Sequence, residues 1–298
     1  MSADHHHHDV SGKNLFITII LNVIITLAQV VGGVLSGSLA LLSDALHNFS
    51  DVIALVVAYG ANRLAAKPSD TDKTFGYKRA EILATLFNAS VLIGIGIFLI
   101  FESFHKFYNP EVVDSIWVIA LGILSIILNA ISVLLVKDDA HENMNIRAAY
   151  LHLLTDVMTS VAVVVGGVLM YYYQLYWVDP IVSLIIATYL IWASVGLVKD
   201  SSAILMQFTP KDVDLEEILG LILQQEEINN AHHLHLWQLD EHRIHLEAHL
   251  DFNNNLSLEE SQKIIDILED RLSNSFGITH TTFQCEYNRC QTTEIIKQ

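Results

Sequence analysis

Cysteine is almost missing from this chain: among 298 residues only Cys285 and Cys290 carry a thiol, both near the C-terminus. Two thiols are too few for a disulfide framework, and their C-x4-C spacing is not the redox C-x-x-C. Cys285 is expected to be a packed strand residue and Cys290 a candidate addition to a ligand set. Charge is also scarce, at 16% of residues against a hydrophobic share of 52%, more apolar than soluble proteins normally are. Basic residues are scarcest: 16 Lys and Arg stand against 33 Asp and Glu, for a formal net charge of −17. That balance argues against a nucleic-acid partner, which needs a basic patch, and it suits the attraction of cations. No nucleophile–base pair and no phosphate-binding glycine loop appears, so an enzyme reading has little support. A secretory signal is not expected either, because the first apolar segment is too long for one and lacks an A-x-A-like cleavage site.

Long apolar runs are what the chain does have. Six of them, roughly 15–35, 39–64, 80–104, 116–136, 146–173 and 178–198, meet the requirement of about 20 residues per membrane span. Short breaks at Ser36-Gly37-Ser38 and around Trp177 make tight helical hairpins of the first and last pairs. Tyr171, Tyr172, Tyr173, Tyr176 and Trp177 fit an interfacial aromatic belt. If the spans alternate, Lys13, Arg63, Lys67, Lys73, Lys78, Arg79, Lys137, Arg147 and Lys199 share one side, and the other has only Lys106. The positive-inside rule then predicts both termini in the cytoplasm.

After Thr209-Pro210 the pattern changes to that of a small soluble domain. Residues 212–225 read as an amphipathic helix, and 232–239 and 243–252 as strands around a turn at Asp240-Glu241-His242. Ser257 followed by Glu260 signals a capped helix over 257–275, and 278–287 reads as a third strand. The order αββαβ predicts a small α+β sheet with helices on one face. The expected organisation is a tail over 1–13, a six-helix transmembrane domain over 14–208, a cytoplasmic domain over 209–290 and a tail over 291–298.

One heptapeptide pattern occurs in both the second and the fifth span. Leu46-His47-Asn48-Phe49-Ser50-Asp51-Val52 and Leu151-His152-Leu153-Leu154-Thr155-Asp156-Val157 both read L-H-x-x-[ST]-D-V. Each copy sets a His and an Asp one helical turn apart on one face. At about 1.5 Å of rise per residue, His47 lies roughly 12 Å along its span from Leu39, and Asp156 roughly 15 Å from Ile146. Spans two and five enter from opposite sides, so the two copies can meet near mid-depth. Ionisable groups inside a bilayer are costly and mark ion or proton pathways. Two imidazoles and two carboxylates have the number and chemistry of a tetrahedral zinc shell whose charge they cancel. Four unpaired polar groups are not tolerable in low dielectric, so an empty site of this kind must take up protons that metal binding releases. Asp44, one turn before His47, is an outer-shell acceptor, a proton site or a structural residue. Asn22, Gln29, Asn88 and Asn129 are expected to make interhelical hydrogen bonds.

The stretch Gly37-Ser38-Leu39-Ala40-Leu41-Leu42-Ser43-Asp44-Ala45-Leu46-His47 with Asp51 resembles the second span of the cation diffusion facilitator family. Phe75-Gly76-Tyr77-Lys78-Arg79-Ala80-Glu81 and Leu151-His152 with Asp156 extend the likeness, which is strongest to the CzcD-like zinc and cadmium exporters of bacteria and runs from about residue 13 to 290. The resemblance implies six spans, a cytoplasmic ferredoxin-like domain, a homodimer in a bacterial inner membrane, and export of Zn²⁺, with Cd²⁺ and Co²⁺ as further cargo, in exchange for protons. The transport ligands it implies are His47, Asp51, His152 and Asp156. Where some relatives bind an extra metal through a histidine after F-G, this chain has Tyr77, with Lys73 nearby. Many relatives carry a carboxylate where this chain has Gln207.

The soluble domain holds His232, His233, His235, His242, His245, His249 and His280. Strand alternation is expected to put His233 and His235 on one face and His232 on the other. H-L-E-A-H at 245–249 is not the protease motif H-E-x-x-H and lies on a strand. The family likeness singles out His232, His249, His280 and Glu286 as a candidate regulatory metal site. Residues His5, His6, His7 and His8 read either as a tag or as a metal-collecting tail. A passive divalent-cation channel and a membrane-anchored metal sensor are the rival functions.

Overall fold

A computed structural model describes residues 8–137 and 144–288, with side chains from residue 20 onward except at 55, 58, 136, 144–149, 151 and 152. Residues His5, His6 and His7, Cys290 and the tail 291–298 lie outside the described residues. The helices are α1 (His8–Ser36), α2 (Leu39–Ala65), α3 (Ala80–Tyr108), α4 (Ser115–Val136), α5 (Met144–Tyr173) and α6 (Val178–Leu205). Helices α2 to α6 each contain a stretch long and apolar enough to cross a membrane, and α1 adds the apolar segment Ile20–Ser36. Each expected span is a helix, with α1 starting at His8, ahead of the apolar run.

The chain forms two compact units, one of residues 1–59 and 87–197 and one of residues 60–86 and 198–298. In the first unit the usual arrangement of a soluble protein is inverted. Val34, Leu35, Val56, Phe101, Leu134, Met158 and Trp192 are exposed, whereas Gln29, Asp44, Asn48, Ser125, Asn129, Asp156 and Ser160 are buried. Apolar side chains turned outward suit lipid, and polar ones turned inward find partners on neighbouring helices. Glycines allow these helices to come close. A Cβ on Gly122 of α4 would stand 2.5 Å from Val164 of α5, and one on Gly96 of α3 would stand 2.6 Å from Ile191 of α6.

The short α1–α2 turn is held from elsewhere in the unit. Gly37 takes the left-handed conformation (φ +69°) that a side chain would oppose, and its carbonyl accepts from Lys106 Nζ at 2.8 Å. Asp179, in the first turn of α6, accepts from Ser38 Oγ at 2.5 Å and from the backbone N–H groups of Leu39 at 2.7 Å and Ala40 at 3.2 Å. The first N–H groups of a helix have no partner within it, so this carboxylate caps α2 from another helix. Farther along, Ser43 and Ser183 hydroxyls hydrogen-bond at 2.6 Å.

The second unit contains α7 (Leu215–Ile222), β1 (Ile228–Gln238), β2 (Ile244–Phe252), α8 (Leu258–Phe276) and β3 (Ile278–Tyr287), which is the expected αββαβ order. The sheet order is β1-β2-β3, with β1 antiparallel and β3 parallel to β2. The capping box predicted for α8 is present: Ser257 Oγ accepts from the Glu260 N–H, and Glu260 accepts from the Ser257 N–H at 2.8 Å. Ile218, Ile222, Ile264, Leu268 and Leu272 of the two helices pack against Leu234, Leu236, Leu246, Ala248, Leu250 and Phe252 of the sheet. Residues 245, 247 and 249 therefore point to the opposite, helix-free face. Cys285, expected to be packed, is exposed.

The Asp179 cap yields a prediction. Asp179→Ala removes a buried carboxylate acceptor from three donors and should destabilise the protein by about 3 kcal/mol, with Asp179→Asn intermediate. Thermal unfolding of the detergent-solubilised chain measures this, and an unchanged midpoint would refute the cap as a stabilising element.

Candidate metal centres

Helical periodicity stacks His47 and Asp51 on one face of α2, and α5 brings Asp156 to them. His47 Nδ1 lies 3.6 Å from Asp51 Oδ2, and His47 Nε2 lies 3.4 Å from Asp156 Oδ1. Ligand atoms of the three residues all fall within 4.8 Å of one another. Zinc–ligand bonds of about 2.0–2.1 Å at tetrahedral angles set ligand atoms about 3.3 Å apart. One ion can take only one of the two His47 nitrogens, so the 4.8 Å grouping of one atom per residue, and not the two contacts together, is what could close on an ion. Asp156 and His47 are buried and Asp51 is partly buried. His152 sits one turn before Asp156 on α5, and its side chain lies outside the described residues.

Asp44, one turn before His47 on α2, has a different environment. It accepts from Gln29 Nε2 of α1 at 2.6 Å and from the hydroxyls of Thr159 at 2.9 Å and Ser160 at 3.1 Å on α5. The donors are themselves oriented. Asn48 Nδ2 donates to Gln29 Oε1 at 3.0 Å, which turns the Gln29 amide nitrogen toward Asp44. Ser125 and Ser160 share a hydrogen bond at 2.8 Å, and Asn129 Nδ2 is 3.4 Å from Ser125 Oγ. Gln29 thus makes the interhelical bonds expected of it, and Asn88 reaches the Ala54 carbonyl at 3.5 Å. Asn129 donates within α4, to Ser125, which in turn bonds Ser160 of α5. The i, i+3 spacing of Asp44 and His47 was visible in the sequence, but the donors on α1 and α5 had no local signal.

A second group lies on the open face of the sheet. His232 Nε2 is 3.6 Å from Glu286 Oε2, and His249 Nδ1 is 3.1 Å from Glu286 Oε1. Ligand atoms of His232, His249 and Glu286 lie within 4.8 Å of one another. His232 is 2% exposed, and its Nδ1 has no hydrogen-bond partner among the described residues. Two imidazoles and a carboxylate at this spacing fit a zinc-type ion that leaves a fourth position to another donor. His280 is not part of the group. It pairs with His245, whereas His249 pairs with Gln284, four residues farther along β3, or about 13 Å at strand rise.

The expected split of His232 from His233 and His235 is corrected by a β-bulge. The β1–β2 register shifts between His232 and His235, and His233 takes φ +55°. Alternation fails at such an irregularity, and a non-glycine residue in this region costs about 1–3 kcal/mol. As a result the His233 ring contacts both His235 and His249, each at 4.8 Å between centroids, and His232 meets His249 at 5.3 Å. His245 belongs to another cluster. It stacks on Trp237, meets Phe75 edge-on and lies 4.8 Å from His280. Burial first, and then His280, hold its imidazole below the ordinary value, so it is neutral at pH 7. In the loop before α3, Lys73 Nζ stands 5.5 Å over the Tyr77 ring and 3.2 Å from Asp70. Gln207 closes α6 with φ +58°.

A bundle of apolar helices around buried His and Asp, joined to a sheet domain with a second ligand group, defines a polytopic membrane protein of metal-handling type. Residues 15–206 match the cation efflux transmembrane domain, and residues 210–288 match the cation efflux protein cytoplasmic domain. The chain is 36% identical over 285 residues to the cadmium, cobalt and zinc/H(+)-K(+) antiporter of Bacillus subtilis, covering 95% of this chain and 91% of that one. It is 33% identical over 293 residues to the metal cation efflux system protein CzcD of Cupriavidus metallidurans (98% and 92% covered). It is also 33% identical over 292 residues to the zinc transporter ZitB of Pectobacterium atrosepticum (97% and 90% covered). The chain belongs to the cation efflux family of metal transporters, also called cation diffusion facilitators, as its sequence motifs suggested.

Asp44→Ala should leave three buried donors without their acceptor and lower stability by about 2–4 kcal/mol. Thermal unfolding in detergent tests this. An unaltered midpoint would show that the donors re-pair without Asp44.

Proposed function

We propose that this protein exports Zn²⁺ from the cytoplasm in exchange for protons, with Cd²⁺ and Co²⁺ as further cargo. The single observation that carries the reading is the set of ligand-spaced contacts among His47, Asp51 and Asp156 between two membrane helices. His152, one turn from Asp156, supplies the fourth ligand. Two histidines and two aspartates neutralise the dication, so the loaded site is tolerable in low dielectric. A carboxylate oxygen or imidazole nitrogen that carries a proton cannot at the same time hold the metal. Metal and protons therefore compete for the same atoms, which makes exchange the natural cycle. The relatives' names, which include a zinc/H(+)-K(+) antiporter and CzcD, support both the cargo and the coupling. The protein is a transporter and not an enzyme. Its membrane is the bacterial inner membrane, with both termini cytoplasmic, a transport domain over 14–208 and a regulatory and dimerisation domain over 209–290 that pairs two copies. His232, His249 and Glu286 form the regulatory metal site there, and His280 stands outside it.

In proteoliposomes with an imposed pH gradient, wild-type protein should move Zn²⁺ together with counter-moving protons. Asp51→Ala, Asp156→Ala and His152→Ala should each abolish both fluxes. Apparent zinc affinity should fall as pH falls, because the bound form needs deprotonated ligands. Zinc uptake indifferent to the pH gradient would favour a passive channel, and metal tolerance of cells surviving Asp51→Ala would favour a sensor. For the regulatory site, Glu286→Gln should raise the zinc concentration at which transport reaches half its rate while sparing the maximal rate. An unchanged concentration dependence would remove the site from regulation.

A further inference from the structure

The chain as a whole is acidic, with 33 Asp and Glu against 16 Lys and Arg, yet residues 60–86 hold five of those basic residues and only three acidic ones. Two of the three acids are engaged locally. Asp70 accepts from Lys73 Nζ at 3.2 Å, and Glu81 accepts from Asn62 Nδ2 at 2.7 Å. Lys78 and Arg79, directly before α3, pair with no carboxylate among the described residues. Lys78 Nζ donates at 2.8 Å to a neutral acceptor, the carbonyl of Ala65 at the end of α2. The Arg79 side chain makes no hydrogen bond or ion pair among the described residues, and its Nε is shut off from water. A charged donor removed from water and left unpaired is costly, so its partner needs to be identified.

Both cations line one cavity of about 440 Å³, a volume ordinary for a ligand site. Its wall is otherwise mostly apolar, from Leu64, Phe75, Leu83, Trp237 and Leu239; Gln207 adds a neutral amide, and no carboxylate lines it. Leu64 belongs to the last turn of α2 and Leu83 to the first turn of α3, so the cavity lies at the ends of two membrane-crossing helices. The connection that presents the cations is held by its own backbone, with the Gly76 N–H on the Lys73 carbonyl and the Ala80 N–H on the Tyr77 carbonyl, each at 2.9 Å. Phe75 and Leu83 are nonetheless exposed.

Such a site suits a molecule that is anionic at one end and apolar at the other. A guanidinium offers a planar fork of donors matched to phosphate oxygens, and an ammonium adds a point charge. Basic pockets at the ends of membrane helices are suited to anionic lipid headgroups. A soluble phosphate would leave the apolar wall in water, whereas the glycerol and first methylenes of a lipid would cover it. We propose that this cavity binds the phosphate of an anionic phospholipid through Arg79 and Lys78, with Leu64 and Leu83 against its glycerol and upper acyl chain. The lipid supplies the counter-charge that the cavity wall lacks. It also ties the α2–α3 connection to the membrane surface, at the end of the helix that carries His47 and Asp51.

The test titrates the full-length protein in nonionic detergent with phosphatidylglycerol, phosphatidylcholine or inorganic phosphate, and counts lipids bound per chain by native mass spectrometry. Wild type should bind one phosphatidylglycerol per chain about tenfold or more tightly than phosphatidylcholine, and Arg79→Gln should remove that preference, on the scale of charge-assisted hydrogen bonds. Gln207→Glu, at an exposed position and with side-chain size kept, should also weaken phosphatidylglycerol binding, because it gives the two cations a carboxylate on the cavity wall. Gel-filtration elution and far-UV circular dichroism report the fold of each variant. Equal affinity for the two lipids, or wild-type phosphatidylglycerol affinity in folded Arg79→Gln, would overturn the proposal. Displacement of the lipid by inorganic phosphate at comparable concentration would overturn it too, by showing a soluble-anion site. If Arg79→Gln does not fold, Gln207→Glu decides, and unchanged affinity there would overturn the assignment.

Discussion

A polar group in the membrane-spanning unit has no water to fall back on, and most of the bundle is arranged around that constraint. The unit meets it in two ways, one helical turn apart on α2. Asp44 is saturated by an amide and two hydroxyls from two other helices, and those donors are themselves held by Asn48 and Ser125. The His47, Asp51 and Asp156 group keeps longer separations of 3.4 and 3.6 Å. A carboxylate with several short bonds from oriented neutral donors is suited to one fixed state. Groups spaced for a shared cation are suited to exchanging one. The contrast separates a saturated carboxylate on one turn of α2 from more widely spaced groups on the next.

Such a division requires that α2 be positioned by something other than the ion. Two sets of contacts do this. Asp179 caps the first turn from α6, and the Asp44 cluster pins the next turns to α1 and α5. Close helix approach at Gly122 and Gly96 brings α4 to α5 and α3 to α6, which van der Waals packing favours where hydrophobic burial gives no drive between helices in lipid. Because packed interiors respond in discrete steps and not by smooth deformation, the His47–Asp51 face of a helix held at these points has a fixed geometry.

Local signals in the sequence carried the fold well. Span length, amphipathic patterning, the Ser257–Glu260 box and strand alternation identified the helices and strands of the described residues, and the doubled L-H-x-x-[ST]-D-V contains His47, Asp51 and Asp156, which α2 and α5 bring together. What could not be read was non-local or irregular. Nothing near Asp179 says that it caps a helix some 140 positions earlier. Nothing near Asp44 names Thr159 or Ser160. His280 has the right residue type for the cytoplasmic group but the wrong register, because pairing of β3 against β2 sets it opposite His245. The bulge at His233 defeats alternation outright. Periodicity predicts which residues share a face, and only the register predicts which of them meet.

The register also explains why so many histidines can share one open sheet face without cost. Core helices cover the other face, so this one must stay compatible with water or with a partner. Burial holds the His245 imidazole toward its neutral form. Each dication taken up by such a face changes its local charge by two units at once, which is a larger electrostatic step than protonation of any one side chain. A face that sets imidazoles around the Glu286 carboxylate is for that reason suited to respond to a divalent ion.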